Sequence, residues 1–269
     1  RERGMIMDII PGNHDTYYKN TNDLNSLKEC LGHYMNEIHI IMEPTVMEYG
    51  SLKIALLPWI CQENYEQSMN FIQECKADWL GAHLELHGFD LLRGVQSHSG
   101  LNHKIFDKFE LVITGHFHTA SRQDNVWYLG SQMEFFWSDA GDPKFFHILD
   151  TETREIEKVR NPHTLFKKIV YNDEKIDYNT YDVTNLSKKF VKVTVVNKND
   201  AFLFERFIDR IQSQDIYELK IAENFQEFIG DNVDVDGLDV EDTYKLVEDY
   251  IDGVDTDLEK DRIKISMRE

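Results

Sequence analysis

Two short apolar runs, each ending in a glycine followed by imidazoles, constrain this chain more than any other feature. Met5 to Ile10 leads into Gly12-Asn13-His14-Asp15, and Leu111 to Thr114 leads into Gly115-His116-Phe117-His118. A run of four to eight apolar residues bounded by turn residues reads as a buried strand. Side chains that follow such strands collect along one edge of a sheet. The chain therefore has to fold so that an Asn-His-Asp cluster and a His-x-His pair come out at strand ends.

The surrounding pattern is mixed α/β. Leu24, Leu27, Leu31 and Tyr34 give helical spacing over 23–36, and Met69, Ile72 and Cys75 give it over 65–76. Strands are expected at His39–Ile41, Thr45–Tyr49, Leu52–Pro58 and Trp79–His83, with Tyr49-Gly50-Ser51 marking a hairpin. Val126–Leu129, Phe145–Asp150 and Glu155–Val159 read as a closing antiparallel set. A smaller unit begins near Asn161-Pro162, with a strand at Phe190–Val196, a helix at Ala201–Gln212 and a strand at Ile216–Ala222. The expected organisation is an α/β domain over 1–160, a capping α/β unit over 161–230 and an acidic segment over 231–269.

Charge is unevenly spread. The net charge is −20, which taken as a whole disfavours a polyanionic partner. Residues 231–260 hold twelve Asp and Glu against Lys245 and Lys260, whereas 160–192 carry seven Lys and Arg against four acids. Such asymmetry assigns separate jobs to separate segments. Within the acidic segment Val240, Tyr244, Val247 and Ile251 form one apolar stripe, suited to a groove on a partner. Three cysteines, Cys30, Cys61 and Cys75, form no CxxC pair, which fits a reducing cytoplasm. No apolar run reaches the length of a membrane span.

Four side chains qualify as metal ligands: Asn13, His83, His116 and His118. Residues i and i+2 at a strand exit face the same side, so His116 and His118 can look into one pocket. His83 closes the Trp79–Ala82 run at the same edge, and Asn13 adds a neutral oxygen. Mixed oxygen and imidazole donors suit manganese, iron or zinc better than magnesium alone. His14 is placed to act as an acid at a scissile phosphate, with Asp15 orienting its ring. His98, in Gln96-Ser97-His98-Ser99-Gly100, is a further candidate for touching substrate. Two metals a few ångströms apart can activate a water and neutralise phosphoryl oxygens. Taken singly, each motif also has an ordinary structural reading as a turn or a satisfied core histidine; the joint occurrence, in this order and each at a strand end, favours the metal site.

With these residues in place the chain resembles the calcineurin-like metallophosphoesterase superfamily. Gly12-Asn13-His14-Asp15, then Gly81-Ala82-His83, then Gly115-His116-Phe117-His118 carry the resemblance. Leu57-Pro58-Trp59, Glu85-Leu86-His87-Gly88-Phe89, Ser97-His98 and Tyr128-Leu129-Gly130 point within it to the SbcD-type double-strand-break-repair nucleases of T-even-like phages. The resemblance implies an α/β sandwich of two mixed sheets flanked by helices, with a small capping domain. It implies that Asn13, His83 and His116 hold one ion, that His118 helps hold a second, and that His14 assists the leaving group. Two divalent ions are implied, manganese first and magnesium second. DNA, an SbcC-type coiled-coil ATPase and a second copy of the chain are the implied partners. The superfamily also opens with an Asp-x-His strand end and a Gly-Asp pair that no residues before Met5 supply; Asp8 does not substitute. On that ground the chain is expected to be truncated by several tens of residues and weak in metal binding and catalysis. Gly130-Ser131-Gln132-Met133 departs from relatives that carry Pro after the Gly-Ser pair, and Ala82 stands where relatives often have Gly.

Two other readings remain open at this level. A phosphatase of the same superfamily would use the same ligands, and a scaffold protein would keep the pocket without the chemistry. The capping unit and the phage-like strings favour the nuclease.

Overall fold

The computed structural model describes residues 4–92 and 95–222. The acidic segment 231–269, with Val240, Tyr244, Val247 and Ile251, lies outside the described residues. The chain divides into two compact units. The first comprises residues up to Glu134 together with Asp142–His163, and the second comprises Phe135–Gly141 with the described residues from Thr164 on. Among the described residues no helix is long and apolar enough to cross a membrane.

The first unit opens with β1 (Met7–Ile9), α1 (Ser26–Leu31) and β2 (Ile38–Ile40), a crossover that pairs β1 and β2 in parallel. The helix expected over 23–36 is shorter because the Asn25 side chain accepts from the backbone N–H of Lys28 at 2.9 Å, which sets the cap at Asn25, and Gly32 begins a tighter 3-10 turn. The run Met5 to Ile10 is not the buried strand its sequence suggests: Met5 is 71% exposed and Ile6 65%. Periodicity registers apolarity and does not say what covers it.

The main sheet has six strands. A hairpin of β3 (Thr45–Tyr49) and β4 (Leu52–Leu57) is followed by α2 (Tyr65–Glu74) and β5 (Trp79–His83). A small antiparallel pair, β6 (Asp90–Leu92) and β7 (Val95–Gln96), precedes β8 (Leu111–Gly115), β9 (Ser121–Gln123) and β10 (Val126–Tyr128). The order across the sheet is β3-β4-β5-β8-β10-β9, with β4, β5, β8 and β10 parallel and each edge antiparallel. Val126–Tyr128 thus belongs to this sheet and not to the closing antiparallel set expected for it. That set contains only β11 (Phe145–Leu149) and β12 (Ile156–Arg160). Leu149 and Ile156 pack with Leu52, Ile54, Trp79 and Leu111 on one side of the sheet, while Ala55, Leu57, Leu80, Ala82 and Val112 join the larger core that also holds Ile72, Phe89, Phe106 and Tyr128. Burial on both faces explains why the central strands read as continuous apolar runs.

The second unit is a parallel sheet of β13 (Phe166–Asn172), β14 (Phe190–Asn197) and β15 (Glu218–Ala222), with α3 (Ala201–Gln212) crossing between the last two. Asp200 caps α3 by accepting from the N–H groups of Phe202 and Leu203. Phe204, Phe207, Ile208 and Ile211 on α3 meet Ile169, Tyr171, Val191 and Val193 of the sheet. Each unit is mixed α/β, as the sequence indicates.

Candidate functional site

Parallel strands place their chemistry at their carboxyl ends, and the first unit does so here. β5 and β8 are neighbours, and their last residues, His83 and Gly115, are paired in register. The turn after β1 brings Asn13 to the same point. His83 Nε2 lies 2.9 Å from Asn13 Oδ1, His116 Nδ1 lies 3.2 Å from the same oxygen, and the two imidazole nitrogens are 3.3 Å apart. Asn13 Oδ1 accepts from ring N–H groups in these contacts, and three atoms of metal-ligating type, from residues 13, 83 and 116, thus meet at one spot.

The glycines of both motifs make room for this. A Cβ at Gly12 would stand 2.9 Å from Cε1 of the His83 ring, and one at Gly115 would stand 3.1 Å from its Nδ1. The His83 ring therefore sits in a slot that only two glycines can leave open. Asp15 holds the first turn: its Oδ2 accepts from the N–H of Gly12 at 2.8 Å and its Oδ1 from the hydroxyl of Ser26 at 3.3 Å. These bonds make Asp15 a clamp on the turn that carries Asn13 and His14. Gly130, with φ of 75°, lies where a Cβ would meet the His118 carbonyl at 2.9 Å, and Ser131 N–H donates to that carbonyl at 3.0 Å. The segment that departs from the family pattern thus supports the second histidine motif.

His116 has φ of 87°. A non-glycine residue in the left-handed region costs about 1–3 kcal/mol and persists only where surrounding structure enforces it. Electrostatics mark the same pair. Burial pushes His83 down to about 4, with the charges of His14 and His118 acting in the same direction and Asp15 opposing. Burial pushes His116 down to about 3, followed by the charges of His83, His14 and His118. Both imidazoles are therefore neutral at physiological pH, the form in which a ring nitrogen can donate to a metal. The charges of His14 and His118 act on both rings in the same direction as burial.

This donor set fits a metal ion. Ligand atoms bound at about 2.1 Å around one tetrahedral or octahedral ion sit about 3.0–3.4 Å from one another, and the three observed separations are close to that span. Among the described residues no three His, Cys, Asp or Glu side chains converge; the convergence is of two imidazoles and an amide. His98 is exposed, in contact with the His87 ring at 6.4 Å between centroids, and is not among the converging groups. A cleft of about 190 Å³ borders His83 and is lined by Trp59, Tyr65, Glu85, Gly100 and Leu101 among others. Asp8, set aside as a ligand on sequence grounds, accepts from the Tyr49 hydroxyl at 2.5 Å and contacts His39 Nδ1 at 2.8 Å, tying β1 to β2 and β3. Sequence reasoning missed Trp59 as part of the site. Its indole stacks on His116 and meets His83 edge-on, a contact for which linear spacing gives no signal.

No family model matches the chain. It is similar to Exonuclease subunit 1 of Enterobacteria phage T4, with 32% identity over 262 residues, spanning 97% of this chain and 74% of that protein. Similarity of that degree over nearly the whole sequence means that the chain belongs to the phage exonuclease subunit 1 family.

Proposed function

We propose that the gene product carrying this chain is the nuclease subunit of a DNA-processing complex and hydrolyses phosphodiesters at a site that includes the Asn13–His83–His116 centre. The single observation that carries the reading is the meeting of three donors at ion-binding separations on adjacent strand ends. The kinship with an exonuclease subunit supports the substrate class. Asn13, His83 and His116 would hold one divalent ion and His118 would help hold a second, with manganese the preferred metal and magnesium the alternative. Bound there, two such ions would supply Lewis acidity toward the phosphoryl oxygens and toward an attacking water.

The chain's own residues account for the remaining steps. Two rings held neutral by burial keep their lone pairs available across the physiological range. His14 is exposed on the turn that Asp15 clamps, and it donates a proton to the leaving oxygen. Trp59 and Leu84 wall the cleft beside His83. The two-sheet metallophosphoesterase sandwich is the architecture this reading implies for the first unit, and the second unit is its DNA-positioning cap.

The test is manganese-dependent cleavage of linear duplex DNA by the gene product that carries this sequence, beside its His118→Ala variant. Cleavage that falls about a hundredfold in the variant supports the reading. A preference for phosphomonoesters over DNA would move the assignment to a phosphatase.

The partner proposals rest on sequence. The stripe Val240, Tyr244, Val247 and Ile251 in its acidic surround would dock an SbcC-type coiled-coil ATPase, and the chain would work as a homodimer in the host cytoplasm. Deleting residues 236–269 is expected to abolish ATPase capture in a pull-down while leaving the unfolding temperature of the remainder unchanged. Retained capture would remove that assignment.

A further inference from the structure

The segment after β4 does more than connect it to α2. Trp59 donates its backbone N–H to the Pro11 carbonyl at 2.9 Å, directly before the glycine that accommodates His83. Its own carbonyl accepts from Asn22 Nδ2 at 2.7 Å and from Asn64 Nδ2 at 3.0 Å. The backbone of Trp59 is thus fixed from three separate stretches of chain. Its indole then reaches both candidate ligands. The ring lies 5.4 Å from His116, 29° from parallel, and 5.8 Å from His83 at 72°. The two imidazoles meet each other edge to face at 5.2 Å and 79°. Each of the three rings therefore contacts the other two, with geometries that aromatic quadrupoles favour.

An imidazole can rotate about χ2, and a nitrogen turned away from the convergence point is lost as a ligand. His116 also starts from a backbone with φ of 87°, which adjacent packing has to enforce. The neighbouring Phe117 ring lies tilted against it at 5.0 Å and 45°, while Trp59 stacks on its face. Since the same residue grips the Pro11 carbonyl, one side chain and its own amide tie the Asn13 turn to both imidazoles.

We propose that Trp59 is a positioning residue that sets the ring orientations of His83 and His116 for metal binding. The inference rests on the metal-centre reading given above. A tryptophan that merely filled core would be replaceable by any apolar side chain of similar bulk. A tryptophan that positions rings needs an aromatic face, so Trp59→Phe and Trp59→Leu separate the two roles.

The experiment is a manganese titration of the gene product that carries this sequence, followed by calorimetry, with thermal unfolding recorded for each protein. Trp59→Phe is expected to keep its manganese affinity within about threefold. Trp59→Leu is expected to lose about 10–100-fold, the range seen when groups that orient metal ligands are removed. If Trp59→Leu does not fold, Asn64→Ala releases one grip on the Trp59 carbonyl and leaves the indole in place; it is expected to weaken binding about threefold or more. A Leu variant that folds and binds as tightly as the parent overturns the role of Trp59 alone, as does an unweakened Asn64→Ala where the Leu variant does not fold. A parent that binds no manganese overturns the metal centre and this inference with it. Quenching of tryptophan emission by manganese gives a second readout: it is expected in the parent and lost in Trp59→Phe, because the other tryptophans, Trp79, Trp127 and Trp137, make no such contact with the imidazole pair. Quenching that survives in Trp59→Phe contradicts the placement of the ion beside Trp59.

Discussion

His116→Ala is expected to abolish manganese binding at the strand-end centre and to lower DNA cleavage by about a thousandfold, or about 4 kcal/mol of transition-state stabilisation. The residue contributes at three levels at once. Its Nδ1 is one of three donors, it stacks on Trp59, and it contacts the His83 ring. Removing it deletes a ligand and also frees the other ring to turn. The φ of 87° adds to the case, because a residue held in a strained conformation is retained at a cost that function offsets. Alanine keeps the Cβ that makes a φ of 87° costly and loses the ring packing, so thermal unfolding of the variant is recorded first. The check is a side-by-side titration and cleavage assay on the folded variant. Cleavage within tenfold of the parent would mean that the imidazole pair is structural.

The second large expected effect is acid lability of the metal-free protein. His83 titrates at about 4 and His116 at about 3 in the folded chain, against an ordinary value near 6.5. Below pH 6.5 the unfolded chain takes up protons that the folded chain refuses. The unfolded state therefore binds more protons between 6.5 and 4, so stability rises with pH through that window and is lost as pH falls. At pH 4.5 the contribution of His83 alone is about 2–3 kcal/mol, a large share of the stability of a typical domain. Urea midpoints at pH 7 and pH 4.5 measure it. The parent is expected to lose more stability than His83→Gln by about this amount, since glutamine has no proton to gain. Equal losses in the two proteins would show that His83 is not held neutral by its surroundings.

Much of the site was legible in the sequence because its residues lie beside strand ends. The apolar runs before His83 and Gly115 announce adjacent buried strands, and those strands place His83 opposite Gly115 as the motif reading requires. Asn13 arrives from the turn that Gly12 and Asp15 build between them. What escaped the reading has physical causes. β13 was missed because Phe166-Lys167-Lys168 reads as a charged stretch, although lysine stems pack along apolar surface while the ammonium stays outside. Exposure of Met5 and Ile6 escaped because an apolar side chain looks the same in a sequence whether or not anything covers it. The turn-closing bond of Asp15 escaped because spacing alone does not show that a carboxylate three residues after Gly12 accepts from its amide. Trp59 escaped because it lies 57 residues before His116, and no periodicity links a loop indole to an imidazole on another strand.

The most direct test of the central claim is a crystal of the gene product that carries this sequence, soaked in manganese, with anomalous diffraction collected at a wavelength where manganese scatters strongly. A peak is expected between His83 Nε2, His116 Nδ1 and Asn13 Oδ1, at about 2.0–2.3 Å from each. A crystal that takes up manganese elsewhere, with no peak among these three atoms, would contradict it.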